Sequence, residues 1–215
     1  RLLGQSEKPP LVTTFHAFCY RLLSEMEKDR QYTIMDDEER RFFIHEIYTR
    51  MKKDGQVFPY PENVMAQMVA AAKQNICGPM DDLAGIAATF QCDEERFQPF
   101  YEAYQQVLYD QQALDFQDLI FRVVKALETD AEKQAFYRKQ FTHIFIDEYQ
   151  DLNQGQYRIV KALSSGSRNL FAIGDPDQSI YGFRGSNVEY FKKFMDDYPD
   201  AQMIQLNRNY RSTET

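Results

Sequence analysis

The stretch Ile144-Phe145-Ile146-Asp147-Glu148-Tyr149-Gln150-Asp151 decides the fold class. Three apolar residues run straight into two adjacent carboxylates, which reads as a short buried strand delivering acidic side chains to a sheet edge. Two more apolar runs follow, Leu170-Phe171-Ala172-Ile173 and Met203-Ile204-Gln205-Leu206, alternating with helical stretches near 153–163 and 187–195. That βαβα rhythm predicts an α/β fold with a parallel sheet packed between helices. In such sheets ligands gather outside the carboxyl ends of the strands.

Working outward, Leu11-Val12-Thr13-Thr14-Phe15 reads as a further buried strand, continued by helix-forming residues from Ala17 to Met26. The pattern changes at Asp36-Asp37-Glu38-Glu39, where acidic side chains complement a helix start, and Phe42, Phe43, Ile47 and Met51 follow at helical spacing. Gly55, Pro59 and Pro61 end that helix. More helical stretches run near 62–75, 80–89 and 94–111, punctuated by Cys77-Gly78-Pro79. Asp115-Phe116 then opens a helix whose Phe116, Leu119, Ile120, Val123, Val124 and Leu127 share one face. The expected organisation is an α/β domain built from 1–35 and 111–215, interrupted by an all-helical insert over 36–110.

The acidic pair has a specific chemical use. In nucleotide hydrolases an Asp at such a strand end holds the water shell of Mg²⁺, while the following Glu orients and deprotonates the attacking water. A second motif, Gly174-Asp175-Pro176-Asp177-Gln178-Ser179-Ile180-Tyr181-Gly182-Phe183-Arg184-Gly185, combines glycines for close backbone approach, an amide able to meet a phosphate oxygen, two aromatics and an arginine. Aromatics beside a cation suit base stacking on single-stranded nucleic acid. Tyr181 and Phe183 would otherwise be core residues, the usual place for aromatics.

Composition sets the bounds. The chain has 215 residues, 43% hydrophobic and 27% charged, which excludes a disordered tail or a collagen. No apolar run reaches the ~18 residues of a membrane span, and Arg1-Leu2-Leu3-Gly4 is too quickly polar for a signal peptide. Cys19, Cys77 and Cys92 are widely spaced and odd in number, so a reducing, cytoplasmic setting is expected and a cysteine-rich zinc site is not. The three histidines, His16, His45 and His143, have no metal-ligand spacing, and Met65-Ala66-Gln67-Met68 reads as packing. The net charge of -8 is unusual for a nucleic-acid binder, yet residues 36–110 hold 7 Lys+Arg against 14 Asp+Glu, so nearly all the acidity lies in that segment. The remainder is almost neutral, and nucleic-acid contact can rest there on a few placed side chains.

Asp147-Glu148-Tyr149-Gln150-Asp151, the Gly174 to Gly185 stretch and Leu206-Asn207-Arg208-Asn209-Tyr210-Arg211-Ser212 resemble three successive motifs of the UvrD/Rep-type superfamily 1 DNA helicases. Thr14-Phe15-His16-Ala17-Phe18 and Leu114-Asp115-Phe116-Gln117-Asp118-Leu119-Ile120 resemble two more segments of the same family. The resemblance implies a RecA-like P-loop NTPase sheet with helices on both faces, ATP and Mg²⁺ as cofactors, and single-stranded DNA with a duplex junction as partner. It implies that Asp147 is the Mg²⁺-associated carboxylate, Glu148 the catalytic base and Gln178 the γ-phosphate sensor. Arg211 would approach the γ-phosphate and Tyr210 would stack near the adenine. Thr14, Phe15 and His16 resemble the strand-contacting segment, and Tyr181, Phe183 and Arg184 the base-stacking and coupling residues. Many relatives carry Trp at the position of Phe183.

One family element is missing. None of the nine glycines is followed by Lys, so the sequence holds no phosphate-binding G-x-x-x-x-G-K-[ST] loop. The expectation is that this loop precedes residue 1 and a second motor domain follows residue 215. The isolated piece would then hydrolyse ATP barely or not at all, and an unpaired sheet edge would invite self-association. The complete protein would couple ATP hydrolysis to translocation on single-stranded DNA and unwinding, in the 3′ to 5′ direction by resemblance. Two rival readings are a nuclease holding paired metals on Asp147, Glu148 and Asp151, and an inactive helicase-like DNA-binding scaffold.

Overall fold

The computed structural model describes residues 9–55, 60–165, 169–178, 189–206 and 208. Along these, α1 (Phe15–Met26) leads to β1 (Thr33–Ile34), and four helices follow: α2 (Asp37–Lys53), α3 (Glu62–Gln74), α4 (Ala84–Thr89) and α5 (Glu94–Asp110). Then come β2 (Ala113–Leu114), α6 (Phe116–Thr129), α7 (Ala131–Gln140), β3 (Ile144–Ile146), α8 (Gln154–Ser164), β4 (Leu170–Ala172), α9 (Glu189–Lys192) and α10 (Phe194–Asp197). The described residues are therefore mostly helical. The strands form two parallel pairs, β1 with β2 and β3 with β4, the second in register Ile144 to Leu170, Phe145 to Phe171 and Ile146 to Ala172.

The expected parallel sheet is seen only in part. Among the described residues no larger RecA-like sheet is assembled, and neither 11–15 nor 203–206 forms a strand. Val12 is 89% exposed and Leu206 90%, so the apolar character of these runs is not spent on burial. Helix α1 also begins earlier than its composition suggests, because Thr14 acts as its N-cap, the hydroxyl accepting from the Ala17 N–H at 3.3 Å. Helix α7 has no counterpart among the expected elements. It starts from the Asp130 cap and is polar on most of its surface, so its hydrophobic periodicity is faint.

Local chemistry explains the other boundaries. Asp36 caps α2 in a capping box with Glu39, whose side chain accepts from the Asp36 N–H at 3.0 Å, and Asp115 and Asn153 make the same reciprocal device at α6 and α8. Parallel pairing of β1 and β2 brings the backbone on either side of residues 36–110 side by side. One hydrophobic core lies almost wholly within that bracket, with Met65, Met68, Phe97 and Phe100 fully buried. A second core joins α1, α6, α7 and α8 through Leu22, Leu119, Val123 and Ile159. A smaller third cluster of Tyr149, Leu152 and Val160 sits beneath β3 and β4, with Phe15, Phe191 and Phe194 packed against it. Gly155 lets α8 approach α6 closely, since a Cβ there would lie 2.4 Å from Ile120 Cγ2.

Candidate active site

The two paired strands β3 and β4 run in the same direction, so the segments that leave their carboxyl ends emerge next to each other. From β3 come Asp147 and Glu148, both exposed, and from β4 comes the turn Gly174-Asp175 leading to the 3₁₀ turn Pro176–Gln178. Backbone bonds lock the two exits together: Ile173 N–H donates to Ile146 O and Tyr149 N–H to Ile173 O, each at 2.9 Å. Asp147-Glu148 and the described part of the second motif, Gly174–Gln178, thus lie side by side at the ends of the two strands, and residues 179–185 of that motif lie outside the described residues.

Glu148 occupies the left-handed region, φ 52 and ψ 46. A residue with a Cβ is strained there, and such strain persists only where the surroundings fix it. Asp147 Oδ1 accepts from the Glu148 N–H at 3.0 Å, and Glu148 O accepts from the Asp151 N–H at 2.9 Å as the chain turns into Tyr149–Asp151. Gln150, fully buried, donates from Nε2 to Glu148 Oε2 at 2.7 Å and accepts at Oε1 from the Asp175 N–H at 3.0 Å. On the other segment Asp175 Oδ2 accepts from Gln178 Nε2 at 2.6 Å, and Asp175 Oδ1 from the Asp177 N–H at 3.0 Å. Gly174 is needed for this approach: a Cβ there would fall 2.6 Å from Gln150 Oε1 and 2.9 Å from Phe191 Cε2.

Asp147, exposed at a strand end, suits an ion that keeps most of its waters and takes only one or two protein carboxylates, as Mg²⁺ does. Paired metals held by Asp147, Glu148 and Asp151 find no support, because among the described residues no three His, Cys, Asp or Glu side chains are placed to hold a metal. Asp151 lines a neighbouring cleft. Its Oδ1 is buried without a hydrogen-bond partner among the described residues, and burial together with the negative charge of Glu148 pushes its carboxyl pKa up.

That cleft, about 350 Å³, is lined by His16, Gln74, Phe116, Gln117, Asn153 and Gln156 as well as Asp151. The imidazole of His16 stacks on the ring of Phe116, centroids 3.9 Å apart and planes 24° from parallel. Burial lowers the His16 pKa, so the ring is neutral at pH 7 and offers a stacking face rather than a positive charge. Phe15 packs toward Tyr149, and the Thr14 hydroxyl is committed to its helix cap, so the three residues of this segment divide between structure and surface. Phe116 departs from the sequence reading. Its spacing groups it with the buried face of α6, yet it is 54% exposed at the first helical position, beyond the buried stripe of Leu119, Ile120, Val123, Val124 and Leu127. The signal available in sequence is its place between two capping-box carboxylates, Asp115 and Asp118, whose reciprocal bonds hold the helix start. Tyr181, Phe183, Arg184, Tyr210 and Arg211 lie outside the described residues.

With this geometry in place, comparison with known proteins adds the family. The profile described as UvrD/REP helicase N-terminal domain matches residues 1–199. The chain belongs to the UvrD/Rep helicase family. It is similar to the protein named ATP-dependent DNA helicase PcrA of Staphylococcus aureus, 34% identical over 219 residues, covering all of this chain and 29% of that protein. The PcrA of Leuconostoc citreum is 35% identical over 207 residues, covering 94% and 27%, and that of Staphylococcus epidermidis 33% over 217 residues, covering 99% and 29%. The chain therefore spans less than a third of the length of these UvrD/Rep-family relatives. Among its described residues no helix is long and apolar enough to cross a membrane.

Proposed function

We propose that this chain is part of a DNA helicase motor that couples ATP hydrolysis to movement on single-stranded DNA and to duplex unwinding. The observation that carries the reading is the joining of the Asp147-Glu148 segment to the Gly174–Gln178 segment at the carboxyl ends of two adjacent parallel strands. A hydrolytic carboxylate and a phosphate-facing amide belong together in that arrangement. The names of the PcrA relatives agree with it.

In this reading residues 1–35 and 111–215 are part of a RecA-like motor domain and 36–110 its helical insert. Asp147 would hold hydrated Mg²⁺, which neutralises phosphate charge when bound with ATP. Glu148 takes the proton of the attacking water. Gln178 meets the γ-phosphate, Arg211 offers a planar fork to charge developing there, and Tyr210 stacks beside the adenine. His16 and Phe116 form a stacking platform for a base, while Thr14 and Phe15 set the start of α1 beneath it and Tyr181, Phe183 and Arg184 complete the strand contact. Translocation would run 3′ to 5′, in the cytoplasm, where the three free cysteines stay reduced. Phe145 and Phe171 leave an apolar face on the β3–β4 pair, 73% and 52% exposed, through which the isolated chain self-associates.

The test is the complete protein with Glu148→Gln. DNA-stimulated ATP turnover should vanish while Mg·ATP binding survives; unchanged turnover would refute Glu148 as the base.

A further inference from the structure

Three hydrogen bonds form an unbroken line across the site. Gln178 Nε2 donates to Asp175 Oδ2 at 2.6 Å, the Asp175 N–H donates to Gln150 Oε1 at 3.0 Å, and Gln150 Nε2 donates to Glu148 Oε2 at 2.7 Å. Gln150 is the middle member and the buried one, with 1% of its surface exposed. Its amide can face only one way, since its oxygen meets an N–H and its nitrogen a carboxylate. The bond to Glu148 is charge-assisted and the stronger class of contact. Gly174 leaves the space in which Gln150 Oε1 lies.

The geometry points to Gln150 as a positioning residue that couples the Gly174–Gln178 turn to the orientation of Glu148. Resting on the function proposed above, the coupling works as follows. With Gln178 held on Asp175, Gln150 pins one oxygen of Glu148 and leaves the other to take the proton of water. When Gln178 swings to a γ-phosphate it releases Asp175 Oδ2, the turn shifts, and the Asp175 N–H carries that shift to Gln150 and so to the base. The bland alternative is that Gln150 merely satisfies the half-buried Asp175 N–H. The two readings differ in what loss of the donor alone would do.

Gln150→Glu keeps the oxygen that accepts from Asp175 and replaces the donor with a second carboxylate facing Glu148. In the complete protein, coupling predicts that kcat for DNA-stimulated ATP hydrolysis falls by about tenfold or more, part of the ~10²–10⁴ that a positioned base supplies. KM for ATP and the affinity for a fluorescent Mg·ATP analogue stay within about threefold, the signature of an interaction made in the transition state. Lowering the pH should narrow the gap to the parent, because the introduced carboxyl donates again once it is protonated. Gly174→Ala, which pushes on Gln150 Oε1 from outside, should show the same split and decides the matter if Gln150→Glu does not fold. A kcat within about twofold of the parent, or a loss of nucleotide affinity matching the loss of kcat, overturns the coupling. Glu148→Gln measured alongside separates the two failures. If it abolishes turnover while Gln150→Glu and Gly174→Ala do not alter it, only the coupling is wrong; if it leaves turnover intact, Glu148 is not the base and the site reading falls, with the coupling that rests on it.

Discussion

Lys73 Nζ donates to Asp115 Oδ2 across 2.6 Å in a place that water does not reach, both residues being 1% exposed. Lys73 comes from α3, within 36–110, and Asp115 caps α6, which carries the second core. Asp118 completes the group, its Oδ1 2.9 Å from the same ammonium, and the Tyr104 hydroxyl donates to Asp115 Oδ2 at 2.9 Å. A single cation thus answers two carboxylates at the junction between the two segments. Breaking a buried pair by removing one partner is far costlier than the pair is worth, because a charge is left unanswered.

Lys73→Met should therefore destabilise the protein by roughly 3–5 kcal/mol, read from denaturant unfolding. Asp118→Asn should cost clearly less, since it leaves one cation facing one carboxylate. Equal losses for the two variants would show that the charges are not what holds the junction.

Acid should act on the two carboxylates in sequence. Burial raises the Asp118 pKa, with Asp115 adding to it against the pull of Lys73, so Asp118 takes a proton first, above the ordinary carboxylate range, and that step relieves a cost of the folded state. For Asp115 burial acts upward too, but the Lys73 charge and the bonds from Lys73, Asp118 N–H and Tyr104 outweigh it and hold the pKa below the usual value. Its contribution is present above the unfolded pKa near 3.8 and is lost as pH falls through the lower folded value. Relative to Asp115→Asn, the parent should keep its stability advantage down to about that pH and lose it below. A parity reached well above it would contradict the assignment.

Phe116→Ala should weaken binding of single-stranded DNA by the complete protein roughly tenfold, in line with about 1–3 kcal/mol per stacked base. Thermal stability should hardly change, because the ring is exposed. Fluorescence anisotropy with a labelled oligonucleotide measures the first and calorimetry the second. A drop in stability without a drop in affinity would make the His16–Phe116 stack structural.

The 215-residue chain by itself should bind ATP weakly and hydrolyse it barely, since its sequence carries no glycine followed by lysine. Ordinary DNA-stimulated turnover by the isolated chain would show that phosphates are held in another way.

Gly155→Ala should destabilise by about 1–3 kcal/mol, the usual range for overpacking. The added Cβ would press on Ile120 Cγ2 at 2.4 Å and Ile76 Cδ1 at 3.0 Å. An unchanged melting temperature would mean that α8 and α6 can separate freely.

Sequence patterns expose the helices with strong periodicity or caps, α2, α6 and α8, and the acidic strand end at Asp147-Glu148, because these depend on neighbours in the chain. Contacts between distant residues leave no such trace. Gln150 reads as a spacer within its motif, and only the approach of Asp175, 25 residues on, gives it a task. Lys73 reads as one more charge on an acidic segment, and only folding sets it against Asp115, 42 residues away. Charge counting alone suggests that 36–110 could be deleted to isolate its effect on the salt dependence of DNA binding. Deletion would also strip Asp115 and Asp118 of their cation, so reversing exposed charges on α2 is the cleaner experiment. The runs 11–15 and 203–206 mislead for the opposite reason: β-favouring composition does not supply a partner strand.

The left-handed backbone at Glu148 bears on how this protein could be engineered. Glycine or asparagine would rest more easily at φ 52, but Glu148→Gly also takes the acceptor away from the buried Gln150 Nε2, so the two effects oppose and the melting temperature should change little while the carboxylate is lost. A library screened for heat resistance alone would let that substitution pass and discard the chemistry without any sign in the melting curve. Thermostabilisation of this protein has to be selected under turnover.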